Sequence, residues 1–590
     1  MNRKDLEAAR DRAIGRLLEA RSPGGFWTGH LSSSPLATAT AVGALAAAGR
    51  PQDLPLLRAG VRWLLSTQGA DGGWGDTPDS PSNLSTSLLV SAALRLAAPP
   101  DPPPEAAARL EAYLNRTAGP TPESRREAIC AAYGSDRTFA VPILATLALA
   151  GRESWERIPP LPFELAALPR ELFRFLRLHV VSYALPALIG VGLAIDLRAP
   201  PRGIFLRWIR AAVRNRVLRK LEEIQPSSGG FLEAVPLTSF VAMSLAPLFG
   251  PDHPVVARAL SFLRAAARED GSWPVDVNLS VWLTSAAVTA LVEAGRAPEA
   301  AAALPWLRAA QHRRRHPYTG SAPGGWAWTD LPGGVPDADD TAGAVLALLH
   351  SGEAGPEVAR GVRWLLNLQN PDGGWPTFCR GWGRLPFDRS APDLTAHALR
   401  ALKAFDPPVR RPAVRSALRR GLHFLRAQQR SDGSWIPLWF GNQAARNLAN
   451  PVVGTARVLR ALEVLDPEGQ TAQGGLRFLL GARNPDGGWG GEAGLPSSFE
   501  ETALAVSALT GWMRHPEVRD AALGGAAHLA ERWRSDPGPR PAPIGLYFAR
   551  LWYGEALYPA IWTVEALGRV LTRTPGPENI VGETKCPPNR

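Results

Sequence analysis

The chain has 590 residues, too many for one small domain and suited to two to four, and its 45% apolar content is enough for sizeable cores. Its net charge of +11 permits contact with nucleic acid or anionic lipid without selecting either. Cys130, Cys379 and Cys586 are far apart and lack CxxC spacing, so they suggest neither a disulfide framework nor a zinc knuckle. The unusual content is 20 Trp, 57 Gly and 56 Pro, and a fold with so many indoles must give each a packed place and a partner for its N–H.

In chain order, MNRKDLEAARDRAIGRLLEAR reads as an amphipathic helix without the apolar stretch of a signal peptide. A repeat then sets in: an aromatic, a Gln five residues on, and a Trp six residues further, preceded by Asp-Gly or Gly-Gly. It is complete at Trp63/Gln68/Trp74, Trp364/Gln369/Trp375 and Phe424/Gln429/Trp435. Degenerate copies are Gln225 with Phe231, Phe262/Ala267/Trp273 and Phe478/Arg483/Trp489. Between copies, the longest apolar run, Val180 to Ile195, is about 16 residues with Pro186 inside, short of the roughly 20 that span a bilayer. The densest basic run, His312 to His316, reads as a solvated loop, and no nucleic-acid partner is expected.

The repeat has a physical reading. An apolar helix ends near the Gln, Asp-Gly-Gly turns because Gly tolerates positive φ, and the Trp folds back over the turn. The Gln amide can then serve backbone groups at the start of the next helix. Small-residue helices follow each Trp: TSLLVSAALRLAA, TAGAVLALL, TAHALRALKAF, GTARVLRALEVL and ETALAVSAL, each opening at or beside a Thr. Alternating outer and inner helices on this period predict an all-α fold of two α/α barrels, each with six inner and six outer helices and with the Gln–Trp turns outside. The expected divisions are an N-terminal helix at 1–30, barrels at 31–295 and 296–575, and a disordered tail at 576–590.

One segment does not serve the repeat. In Val335-Pro336-Asp337-Ala338-Asp339-Asp340-Thr341-Ala342, three carboxylates in four residues open an otherwise apolar helix. A helix start accepts acids for its cap and dipole, so alone the motif is compatible with a structural role.

The repeats and this DxDD motif together resemble the squalene–hopene and oxidosqualene cyclase family. The match extends through Trp155 to Gly190, Gly271 to Trp282, Gly324 to Trp328, Ala391 to Leu399 and Gly433 to Trp439, covering the chain from about residue 10 to about 570. The resemblance implies a membrane-surface enzyme that protonates squalene or a similar linear polyprenoid to give a polycyclic triterpenoid. It makes Asp339 the general acid, flanked by Asp337 and Asp340, with His397 and Asp393 hydrogen-bonding and polarising it. Trp273, Trp328, Trp439 and Phe378, with Tyr183, Tyr547 and Tyr553, become cavity residues near the cations.

These residue types suit that chemistry. An isolated alkene needs a strong, poorly solvated acid, and burial and neighbouring carboxylates keep a carboxyl protonated. A carbocation then finds support on aromatic faces, worth about 0.5–2 kcal/mol each. The chemistry calls for no metal or other cofactor.

The far end departs from the hopene-forming pattern: Val235 and Val141 stand at polar positions, Tyr183 at a Trp position, and Leu546 and Arg550 at aromatic positions. Initiation is kept while termination is rewritten, so hopene is not the implied product. The segment Leu161 to Leu188, with Arg170, Arg174 and Arg177, is expected to seat the protein monotopically on the inner face of the cytoplasmic membrane. The resemblance also allows a homodimer. The rivals are a protein prenyltransferase β-subunit barrel, which needs a zinc set of Asp, Cys and His, a cyclase of another polyprenoid, and a non-catalytic barrel binding lipid or protein. A cavity joining Asp339 to Trp273, Trp328 and Trp439 would favour catalysis over a scaffold.

Overall fold

The computed structural model describes residues 2–97, 103–134, 137–169, 172, 185–317, 319–378, 387–405, 412–536, 538–546 and 550–574. Tyr183, Tyr547, Cys379, Arg170, Arg174, Arg177 and the expected tail 576–590 lie outside the described residues. The described chain is helical apart from isolated bridges and one antiparallel hairpin, Ile544–Leu546 with Leu551–Tyr553.

Six helices form the second barrel's inner ring: Ser280–Glu293, Ala338–His350, Pro392–Phe405, Pro451–Leu465, Phe499–Leu509 and Tyr558–Arg573. Each packs on the next and the last on the first. They are built from Ala, Gly, Val and Leu on nearly every side, which suits helices enclosed all round. The helices Pro356–Leu368, Pro412–Ala427, Gln470–Gly481 and Pro516–Ser535 alternate with them outside, burying one stripe each. The N-terminal helix Arg3–Glu19 packs against Pro516–Ser535 and Tyr558–Arg573 of the second barrel.

The first barrel's ring runs through Pro35–Ala48, Leu84–Leu96, Arg137–Leu149, Leu185–Arg198 and Val235–Phe249 and closes back on its first member. Among the described residues this ring has five inner helices where six were expected. The helix Ser280–Glu293 also corrects the expected division at 295, because its partners are Ala338–His350 and Tyr558–Arg573 of the second ring.

The repeats tie the rings together from outside. In Trp74, Trp375 and Trp435 the indole N–H donates to the carbonyl ten residues back, those of Leu64, Leu365 and Leu425, at 2.8–2.9 Å. The backbone N–H of Trp375 and Trp435 donates to Thr395 and Thr455, the hydroxyls that open the inner helices. The amides of Gln68, Gln369 and Gln429 each donate twice, once across their own turn and once to Ala106, Ala417 or Thr471 of the next outer helix. Arg109 and Arg420 of those outer helices donate back to Gln68 and Gln369.

Sequence spacing missed one expanded copy. Gln311 makes the same two bonds, to Gly324 and Glu357, and the Trp326 indole donates to Leu307 O at 2.8 Å. The insertion between them carries the basic run: Arg313, Arg314 and Arg315 are exposed, while His316 is buried and His312 half-buried. Burial pushes His312 down to about 4, so only the arginines fit the expected solvated loop.

Candidate active site

A cavity of about 300 Å³ lies where the two barrels meet. Its wall is almost entirely apolar: Leu36, Leu89, Phe139, Ile143, Leu237 and Phe240 come from the first barrel. Trp282, on an inner helix of the second barrel, and Trp328, Phe378, Phe387, Trp439 and Phe440, later in the chain, complete it. At the second-barrel side the wall carries Asp337, Asp339 and Asp340.

The local sequence explains how the three acids sit. Asp337 is the N-cap of Ala338–His350 and accepts the Asp340 N–H at 2.9 Å, while its backbone pairs with Trp326. A helix start tolerates the acids because its free N–H groups and dipole favour negative charge. All three are buried. Burial first, then the mutual repulsion of Asp337 and Asp340, holds Asp340 well above the usual carboxylate range, and burial pushes Asp337 up to about 7. Both are thereby biased towards the protonated form, Asp340 the more strongly.

Asp339 behaves oppositely. His397 Nδ1 lies 2.6 Å from one carboxyl oxygen and Arg457 donates to the other at 3.4 Å. Burial opposes ionisation, but the Arg457 guanidinium and His397 together outweigh it and hold Asp339 below its ordinary value. Arg457 is fixed over the rings of Phe440, at 4.5 Å, and Trp282, at 5.4 Å. Trp282 meets His397 edge-on, and its indole N–H donates to the Tyr558 hydroxyl at 3.0 Å.

Of the expected aromatic residues, Trp328, Trp439, Phe378 and Tyr553 line this cavity. Phe378 packs against Trp328, Phe387 and Trp439 with ring centroids 5.3–6.4 Å apart, and Tyr553 lines the same cavity. Trp273 is a correction: it is fully buried in a repeat turn, its indole donates to Leu263 O at 2.7 Å, and it does not line the cavity. Trp282, nine residues on, takes that place. Asp393 is a second correction. It accepts the backbone N–H of Leu438 at 3.1 Å and of Trp439 at 3.5 Å, so it fixes the loop bearing Trp439 and reaches Asp339 only through charge. Of the polar positions expected to have changed, Val235 and Val141 are fully buried.

Two family models match the chain: Squalene-hopene cyclase C-terminal domain over residues 277–513, and Squalene-hopene cyclase N-terminal domain over residues 11–196. The chain belongs to the squalene–hopene and oxidosqualene cyclase family. It is 26% identical to a probable squalene–hopene cyclase of Sinorhizobium fredii, over 87% of this chain and 89% of that protein. It is 27% identical to enfumafungin synthase efuA of Hormonema carpetanum over 95% of this chain, spanning only 47% of that protein. The chain thus covers about half the length of that relative. Among solved structures, ent-copalyl diphosphate synthase from Streptomyces platensis shares the fold, with a TM-score of 0.58 at 20% identity, over 96% of this chain and 99% of that one.

Arg457 is the site residue that the sequence marks least. Its helix, Pro451–Leu465, also carries Arg460 and Glu463, and no local pattern separates Arg457 from them. Asp276, Phe387 and Tyr558 also line the cavity, and only their tertiary placement marks them.

Proposed function

We propose that the chain is a proton-initiated cyclase of an uncharged linear polyprenoid, squalene or a similar chain, which it converts to a polycyclic product. The observation that carries this is Asp339, paired with His397, at the end of an apolar, aromatic-lined cavity. No Lys, Arg or His is among the described residues lining that cavity. The described wall instead carries the carboxyls of Asp276, Asp337, Asp339 and Asp340, which repel an anionic diphosphate, so an uncharged chain fits better.

In this reading Asp339 gives its proton to the terminal alkene carbon, and the alkene's electron pair forms the new C–H bond. The tertiary cation left behind is attacked by the next double bond, closing a ring and passing the charge onward. Arg457 and His397 stabilise the carboxylate that remains, which makes Asp339 a stronger acid at the expense of its resting protonated population. Asp337 and Asp340, holding a proton, lower the negative charge that would compete for the cation. Trp328, Phe378, Phe387 and Trp439 offer ring faces along its path.

Attachment to the inner face of the cytoplasmic membrane as a monotopic protein belongs to the same proposal. Among the described residues no helix is long and apolar enough to cross a membrane. Ile204, Phe205 and Trp208 are 83%, 72% and 68% exposed. Their helix packs on the turn Phe163–Ala167, beside exposed Leu165 and Leu168, with Arg202 and Arg207 nearby. Apolar tips among arginines suit an anionic lipid surface.

Incubating the detergent-solubilised protein with squalene and with shorter polyprenoids, followed by mass spectrometry, tests the function. A cyclised product absent from Asp339→Asn supports it. No product from any uncharged chain, with turnover of a prenyl diphosphate, would overturn it.

A further inference from the structure

The cavity wall holds one carboxyl that proton donation does not use. Asp276 lies on it where two short segments pair antiparallel, Ala234 opposite Asp276. The Val235 N–H donates to Val275 O at 3.1 Å and the Val277 N–H to Glu233 O at 3.2 Å. Side chains opposite each other in such a pair project to the same side, and here both line the cavity. Because Ala234 contributes only a methyl group, nothing across the pair covers the Asp276 carboxyl.

The turn that delivers this pair is strained. Leu232 and Glu233 both adopt positive φ, 58° and 53°, a conformation costly for residues with side chains. It is clamped by the Gly333 N–H and the Ser228 hydroxyl, which donate to Glu233 Oε1 at 2.7 and 2.6 Å. Such strain persists where the surroundings over-determine it, and it concentrates at ligand sites. Here it places Leu232, Ala234 and Asp276 together on the wall.

Asp276 accepts the Val277 N–H at 2.8 Å, and the Trp328 indole favours its ionised form. Burial, then the neighbouring Glu233, outweigh both and hold the carboxyl well above its usual range. It therefore presents an O–H donor as well as an acceptor. Against a pure hydrocarbon that donor would stay unused, at the cost of a desolvated polar group. A hydroxyl, which both donates and accepts, answers it fully.

We propose that Asp276 is a subsite for a neutral hydroxyl carried by the substrate, so that the preferred polyprenoid is an alcohol. This rests on the reading that the cavity takes an uncharged polyprenoid. The alcohol's oxygen accepts from the Asp276 O–H, and its own proton turns to the carboxyl's other oxygen.

Binding tests the subsite without turnover, because Trp282, Trp328 and Trp439 line the cavity and report occupancy by fluorescence. Geranylgeraniol and the corresponding hydrocarbon lacking the hydroxyl are titrated into the wild type, Asp276→Leu and Asp276→Asn. The wild type should prefer the alcohol by about 5- to 10-fold, the worth of one neutral hydrogen bond. Asp276→Leu should lose that preference and bind the hydrocarbon at least as well, while Asp276→Asn, which still donates and accepts, should keep most of it. Equal binding of both ligands by the wild type, as when the site merely retains a water, overturns the proposal. So does an alcohol preference unchanged in Asp276→Leu. If Asp276→Leu does not fold, Asp276→Ala takes its place: loss of the preference is expected, and an unchanged preference overturns the proposal. Alcohol-selective binding without cyclisation of any chain would sink the cyclase reading and leave the subsite standing.

Discussion

Replacing Asp339 with asparagine should separate chemistry from folding. The carboxyl meets His397 at 2.6 Å and Arg457 at 3.4 Å in a buried setting. Losing its charge removes an attraction to Arg457 of about 5 kcal/mol gross at an effective permittivity of about 20. Most of that is returned, because desolvating a carboxylate itself costs several kcal/mol. The amide oxygen can still accept from His397, and Arg457 keeps the faces of Phe440 and Trp282. The net destabilisation should be about 1–3 kcal/mol, a drop of a few degrees in the thermal midpoint. Turnover should fall far more, because an amide is no proton donor to an alkene. A loss of at least about 10⁴-fold, roughly 5.5 kcal/mol of barrier, is expected from the upper range for general acids. Circular dichroism gives the first quantity and product quantification by mass spectrometry the second. Residual turnover above about one-hundredth of wild type in a folded variant would show that another group carries the proton.

Four further outcomes follow from the same geometry. Because Asp339 is held below its ordinary value and must be protonated to act, turnover should rise as pH falls below neutrality; Arg457→Gln should move that rise to higher pH, and an unchanged pH–rate profile would remove Arg457 from the site. Asp76 and Asp393 are raised to about 6, Asp337 and Glu555 to about 7, and Glu500 to about 8, so folding takes up protons that the unfolded chain has released. Their contribution to stability is therefore full below about pH 4 and lost as pH rises from there through each folded value of about 6 to 8, and unfolding free energies from urea titrations should fall across that span at up to about 1.4 kcal/mol per pH unit for each proton. Trp375→Ala removes a fully buried indole and its bond to Leu365, so it should cost about 3–5 kcal/mol by thermal or chemical unfolding; a loss under 1 kcal/mol would show the repeat turns to be decorative. Exchanging both Phe205 and Trp208 for Ser should sharply reduce co-sedimentation with anionic vesicles, and undiminished binding would place the membrane face elsewhere.

The architecture was legible in the sequence to the extent that local physics produced it. Each complete repeat states its own turn: Gly where φ must be positive, Gln with two donors to bridge neighbouring helices, Trp to cover the turn, and Thr or Ser to receive the Trp N–H. All of these bonds join residues close in sequence or in adjacent helices, so a repeating pattern encodes them. The acid was legible for a similar reason, since three carboxylates at the start of an apolar helix conflict with the helix around them.

Tertiary structure decided what depends on distant elements meeting. Trp273 and Trp282 sit in one motif, yet ring closure turns the first into a repeat turn and the second onto the cavity. The membership of Ser280–Glu293 in the second ring is a consequence of which faces found partners. Asp339 comes from one inner helix, His397 from the next and Arg457 from the one after. Their charges set the acid's strength only because ring closure brings His397 to 2.6 Å and Arg457 to 3.4 Å from the Asp339 carboxyl. Proton affinity at a buried site is a sum over neighbours in space, and no local pattern carries that sum.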